Sequence, residues 1–164
     1  MKLTQARLRK LLRYDPRTGV FTWLMDGANQ YIRKGRKAGC LDPLGRTLIR
    51  IDGTLHLASR LAVFWMTGRW PRHQVDHHNL NKTDNRWANL RPCTQSQNLG
   101  NRRMQARNKT GFKGVAFSSK NRYKAQIAID NRKVFLGCFE TAEQAHAAYV
   151  AAAKKVFGEF ARAS

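Results

Sequence analysis

Residues 74–99 read QVDHHNLNKTDNRWANLRPCTQSQNL. Gln74 to His77 has the length and composition of a short strand, Asn79 to Arg86 is a polar loop, and a second short strand lies near Leu90 to Cys93. Thr94-Gln95-Ser96-Gln97 has capping-box spacing, so a helix begins there and runs to about Gln105. Two strands, a loop and a helix in so short a stretch form a ββα unit. The unit carries an acid beside a histidine, Asp76-His77, and two asparagines further on, Asn89 and Asn98.

That set of side chains suits phosphodiester hydrolysis. The reaction needs an activated water, neutralisation of charge on the pentavalent phosphate, and help for the departing oxygen. An imidazole such as His77 accepts a proton near neutral pH. Asp76 and Asn98 offer oxygen donors, which a hard divalent ion such as Mg²⁺ or Mn²⁺ prefers while it keeps positions open for phosphate and water. Strict strand alternation puts Asp76 and His78 on one face and His77 on the other. A shared site therefore requires an irregular strand end at Asp76.

Upstream, Leu3 to Tyr14 places Leu3, Leu8, Leu11 and Leu12 near one helical face, with Thr4 as a cap. Asp15 to Gly19 is turn chemistry, and Val20 to Leu24 alternates as a strand. Residues 26–46 are Gly-, Lys- and Arg-rich and read as loops or a short hairpin. Thr47 to Ile51 and Thr54 to Leu57 are strands joined by the two-residue turn Asp52-Gly53. Ala58 to Thr67 is a helix that closes at Gly68.

Downstream, Gly114 to Phe117, Tyr123 to Ile129 and Lys133 to Phe139 are three strands, with turns at Ser119 to Arg122 and Asp130-Asn131. A second capping box at Thr141-Ala142-Glu143-Gln144 opens a helix to about Phe157, with Ala145, Ala148, Tyr149, Ala152 and Val156 facing inward. The fold class is α+β: N-terminal hairpins and a helix, a ββα core, then a three-stranded sheet on one helix. Three regions follow, 1–70, 71–106 and 107–164.

The chain has 31 Lys and Arg against 10 acids among 164 residues, a net charge of +21. Such a surface attracts polyanions, so DNA or RNA is the expected partner, and a structural RNA-binding protein shares this composition. Met1-Lys2-Leu3-Thr4 leads straight into an Arg-rich amphipathic stretch, not a secretory signal, and no segment has membrane-span length. Cys40, Cys93 and Cys138 stand alone and far apart, so no disulfide framework or structural zinc is expected. They read as reduced, mostly buried residues of a cytoplasmic protein (host cytoplasm if phage-encoded).

Val75-Asp76-His77, Asp84-Asn85, Asn89-Leu90-Arg91 and Ser96-Gln97-Asn98 together resemble the HNH endonucleases, particularly the phage and intron-encoded homing type with a ββα-metal site. The resemblance implies Asp76 and Asn98 as metal ligands, His77 as general base, and Asn89 as the residue that orients it. His78 falls where the family varies. Without zinc staples, packing of Trp87, Leu90 and Leu99 must hold the scaffold.

Residues 111–161 resemble the apetala/ethylene-response-factor (ERF) DNA-binding domain, through Gly111-Phe112-Lys113-Gly114-Val115, Phe135-Leu136-Gly137 and Thr141-Ala142-Glu143. The resemblance implies a sheet that lies in the major groove of double-stranded DNA, with Lys113, Ser118, Lys124, Gln126, Lys133 and Phe135 facing it. Alternation agrees, since Tyr123, Ala125, Ile127 and Ile129 make the opposite, apolar face. Arg102, Arg103, Arg107 and Lys109 form a basic joint, either a tether along DNA or a solvated linker. The leading expectation is a metal-dependent DNA endonuclease with no small-molecule cofactor, monomeric or dimeric. A DNA-binding regulator without catalysis is the alternative.

Overall fold

A computed structural model describes residues 3–27, 30–118, 121–130 and 132–163. The chain divides into two compact units, Met1–Pro92 and Cys93–Ser164. This division falls at neither of the sequence-derived boundaries, 70/71 and 106/107, and it places the helix after Thr94 with the C-terminal sheet.

In the first unit, Thr4 caps helix α1 (Gln5–Leu11) by accepting the Arg7 amide. The helix stops short of the expected Tyr14. Leu12 and Tyr14 are buried while Arg13 is exposed, the two-residue period of a strand. Strand β1 (Leu12–Asp15) pairs antiparallel with β2 (Val20–Trp23), setting Leu12 opposite Trp23 and Tyr14 opposite Phe21. The Tyr14 and Phe21 rings lie 4.7 Å apart, and this partnership outweighs the helical pattern of the leucines.

Strands β3 (Cys40–Leu41), β4 (Thr47–Ile51) and β5 (Thr54–Leu57) form one antiparallel sheet in that order. The β4–β5 turn takes left-handed φ at both Asp52 (46°) and Gly53 (81°), as a two-residue hairpin requires. Helix α2 (Ala58–Thr67) follows at once and ends as expected at Gly68, whose amide returns to the Phe64 carbonyl. Leu8, Leu12, Ile49 and Leu61 are the largest fully buried side chains. Each contributes roughly 1.5–3 kcal/mol of apolar burial, so this is where the unit is held. Arg60 reaches from α2 to the carbonyls of Pro71 and His73 and fixes the approach to β6 (Gln74–His77). Strand β6 pairs with β7 (Leu90–Cys93).

In the second unit, α3 (Gln95–Asn101) opens on a complete Thr94–Gln97 capping box. It ends before the expected Gln105. Gly100 is buried so near Phe157 that a Cβ there would sit 2.7 Å from the ring. Strands β8 (Val115–Phe117), β9 (Tyr123–Ile129) and β10 (Arg132–Phe139) form an antiparallel sheet in the order β10-β9-β8, with a bulge between Phe135 and Gly137. Of the turn residues between them, Ser119, Lys120 and Asn131 lie outside the described residues.

Helix α4 (Ala142–Phe157) buries Ala142, Ala145, Tyr149, Ala153 and Phe157. Val156, expected inside, is 39% exposed, because the buried stripe advances by four residues per turn and reaches Phe157 instead. Two of the three cysteines depart from expectation: Cys93 is buried, but Cys40 and Cys138 are exposed. Among the described residues no helix is long and apolar enough to cross a membrane. The fold is α+β, with four helices and several small antiparallel sheets among the described residues.

Candidate active site

Strand β6 runs through Asp76 without interruption and stops at His77. The chain then turns: the Leu80 amide donates to the His77 carbonyl, and Leu80 adopts a left-handed φ of 64°. The irregular strand end therefore lies just beyond His77, not at Asp76. Consequently Asp76 and His77 meet different partners. Asp76 is buried, and its Oδ2 accepts both Nε and Nη2 of Arg91 on β7 at 2.9 Å.

The His77 ring is half-buried, with Nε2 3.3 Å from Oδ1 of Asn85. The Asn85 amide is turned by its own Nδ2, which donates to the Thr83 carbonyl at 3.3 Å. That orientation presents an acceptor to Nε2, which favours the tautomer with its proton on Nε2. Burial holds the imidazole below its ordinary pKa of 6.5, outweighing the upward pull of Asn85 and Asp76. The neutral ring is thus the prevailing form at physiological pH.

The loop that carries Asn85 is tied down along its length. Asn79 Nδ2 and the Arg86 guanidinium both donate to the Asp84 carboxylate, which Arg86 above all drives down to about 2. Asn81 accepts the backbone amide and the hydroxyl of Thr83. Asn89 spans the loop: its Oδ1 accepts the Asn79 amide and its Nδ2 donates to the Asp84 carbonyl. The hydrogen bonds of the Asn89 side chain go to this loop, and the asparagine that meets the His77 ring is Asn85. From outside, the buried Tyr14 hydroxyl donates to the Asn85 carbonyl at 2.6 Å, and the Trp87 amide donates to the Pro16 carbonyl. At Gly19 a Cβ would come within 2.4 Å of the Asn85 and Arg86 backbone. Only glycine lets the β1–β2 turn approach so closely, and its φ of 75° adds a second reason.

Asn98 lies on α3, within the second unit. His78 is exposed, and its amide donates to the Asn89 carbonyl. Leu90 joins the core as expected, whereas Trp87 and Leu99 are only partly buried. Among the described residues, no three His, Cys, Asp or Glu side chains cluster as a metal site.

The strand register gathers most of the expected DNA-facing set on one face of the C-terminal sheet. Ala116 lies opposite Lys124, Gln126 opposite Phe135, and Ala128 opposite Lys133. Ser118 Oγ approaches Cys138 Sγ at 3.8 Å on the same face. Phe135 is 64% exposed there. Lys113 departs from the set. Its ammonium donates to the carbonyls of Gly100, Arg102 and Arg162, and burial lowers it to about 8. All three of its protons serve the fold. Arg102, Arg103, Arg107 and Lys109 are exposed along the segment between α3 and β8.

Sequence reasoning missed three positions: Asn85 against His77, Arg91 against Asp76, and Tyr14 against the loop. Asn85 and Arg91 sit inside the quoted motif, where their polarity was the available signal. Tyr14 is 71 residues from its partner and has none.

A protein-family model described as HNH endonuclease matches residues 56–99, from the end of β5 to α3. A protein of Acanthamoeba polyphaga mimivirus, named an uncharacterized HNH endonuclease, is 37% identical over 87 residues, which cover 53% of this chain and 44% of that one. The chain thus spans less than half the length of that relative, and the matched family segment holds Asp76, His77, Asn85, Asn89, Arg91 and Asn98.

Proposed function

We propose that the protein is a metal-dependent DNA endonuclease of the HNH type, homing or phage-encoded, that nicks DNA by hydrolysing one phosphodiester bond. The observation that carries this reading is His77, its Nε2 3.3 Å from Asn85 Oδ1, next in the chain to the buried, Arg91-held carboxylate of Asp76. His77 takes a proton from the attacking water as its oxygen bonds to phosphorus. The P–O3′ bond breaks, leaving a 5′-phosphate and a 3′-hydroxyl once the departing oxygen is protonated. Asn85 keeps the proton on Nε2 and the ring in place through this transfer. Asn89 positions the residue that positions His77, by holding the loop.

The donor chemistry fits a hard divalent ion, Mg²⁺ or Mn²⁺: a buried carboxylate already directed by an arginine, and a side-chain amide oxygen. Asp76 and Asn98 would hold it. When bound, such an ion neutralises charge on the phosphate and at the leaving oxygen.

The C-terminal unit acts as an ERF-type binding module. Lys124, Lys133 and Gln126, with Ser118 and Phe135, form its duplex-facing surface, and Arg102, Arg103, Arg107 and Lys109 hold phosphates beside it. Residues 1–70 support the catalytic core of 71–106, and 107–164 positions the DNA. The test is incubation of supercoiled plasmid with protein and Mg²⁺ or Mn²⁺, with and without EDTA. Open circles should form only with metal, and His77→Ala should slow the reaction by about 10²–10⁴-fold. Cleavage that His77→Ala leaves intact would overturn the assignment.

A further inference from the structure

The second unit contains a groove of about 580 Å³ that shares Gln126, Lys133 and the basic segment with the proposed duplex-facing surface and adds the ring of Phe117, which the duplex reading does not use. It runs between the segment 102–110 and the edge of the sheet at β8 and β9. Arg102, Arg103, Arg107, Lys109 and Lys133 line it together with the spent Lys113, and among its described lining residues there is no Asp or Glu. The rest of its lining mixes polar side chains, Gln105, Asn108, Thr110 and Gln126, with apolar ones, of which Phe117 is 56% exposed.

The wall is built. Asn108 donates to the Phe112 carbonyl and accepts both the amide and the hydroxyl of Thr110, which holds the segment where it meets β8. Lys113 closes the far side by joining the carbonyls of Gly100, Arg102 and Arg162. Sheet edge and basic segment are thereby kept apart at a fixed spacing. Among the described residues the β8–β9 ladder runs from Phe117 to Val115, and beyond it the Gln126 amide meets the Gly114 carbonyl.

Cations without acids select a polyanion, and the exposed Phe117 ring selects its form. A duplex keeps its bases paired and stacked, and so has nothing to place against Phe117. An unpaired strand has a π-face on every base and a phosphate between each pair. We propose that this groove binds a single DNA strand, with phosphates on Arg102, Arg103, Arg107, Lys109 and Lys133 and a base against Phe117. The choice of DNA rests on the nuclease reading, since a nick frees a strand end that can fray from its partner. The groove would then keep the cut strand on the protein.

Fluorescence anisotropy in EDTA tests this with the full chain, an oligothymidylate of about twelve nucleotides and a hairpin duplex of equal charge. Phe117→Ala should weaken single-strand binding by about tenfold and leave duplex binding within about twofold, because stacking is lost and no duplex contact is. Arg103→Gln with Arg107→Gln should weaken single-strand binding and flatten its salt dependence by about one to two phosphates. Thermal melts of both variants establish that the fold is retained, and Phe117 is exposed enough to be replaced by leucine as a further check. Equal losses for strand and duplex with Phe117→Ala, no loss with Phe117→Ala in a folded protein, or tighter binding of oligouridylate than of oligothymidylate would each overturn the proposal. Plasmid cleavage is measured separately. A protein that holds the strand in this way yet never cuts sinks the nuclease reading, while one that cuts without holding the strand sinks the groove.

Discussion

In the proposed mechanism, the hydrogen bond between His77 and Asn85 sets which ring nitrogen faces the substrate. Asn85 faces Nε2, and burial lowers the imidazole pKa from its ordinary 6.5. A general base must be unprotonated, so a lowered pKa extends activity toward acid. The acid limb of the cleavage rate against pH should therefore fall below 6.5, the ordinary value for histidine. Asn85→Asp places a carboxylate where the amide oxygen was, stabilises the imidazolium, and should move that limb upward by about one unit or more. An unmoved limb would mean that another group is titrating. Arg91 supports a separate prediction. Its guanidinium and the Asp76 carboxylate are both largely buried, with side chains 13% and 4% exposed. Arg91→Ala strands a buried carboxylate and should cost about 3–5 kcal/mol in chemical unfolding of the first unit. Loss of activity with unchanged stability would contradict that account.

Among the elements, the loop between β6 and β7 has little apolar content and is ordered by asparagine and aspartate side chains that replace a ladder. Its outer clamp is the β1–β2 hairpin, which reaches it only because position 19 is glycine. Gly19→Ala forces the hairpin turn and the Asn85–Arg86 backbone apart. The expected result is a stability loss of about 1–3 kcal/mol, the range for strain at a left-handed position, with a larger fall in cleavage than stability explains. A circular-dichroism melt alongside the plasmid assay separates the two. In the second unit, Thr141 and Gln144 cap α4 reciprocally. Thr141→Ala should cost about 1 kcal/mol, measured by urea titration, and leave metal dependence unchanged.

Across the whole molecule, a charge of +21 would make the proposed association with DNA an ion-exchange reaction. If about six to ten phosphates are neutralised, duplex affinity should fall by roughly three to five decades between about 50 and 200 mM salt. A shallow dependence would show that few of the cations touch phosphate. The capping boxes, the Asp52-Gly53 hairpin, helix α2 with its glycine stop, and the facial grouping of Lys124, Gln126 and Lys133 were all legible in the chain, because each follows from spacing among near neighbours. The end of α1 at Leu11 was not, because Leu12 and Tyr14 follow a partner strand and not their own helical period. Lys113 is the sharpest contrast: in sequence it is one more cation, and in the fold its three protons belong to three carbonyls. Asp76, His77, Asn89 and Asn98 were marked by residue type and order alone. That Asn85 meets His77, that Arg91 holds Asp76, and that Tyr14 and Gly19 brace the loop came only with the tertiary structure. Local spacing determines which groups are available for chemistry. Which of them meet, and which nitrogen keeps the proton, depends on contacts between residues that the sequence sets far apart.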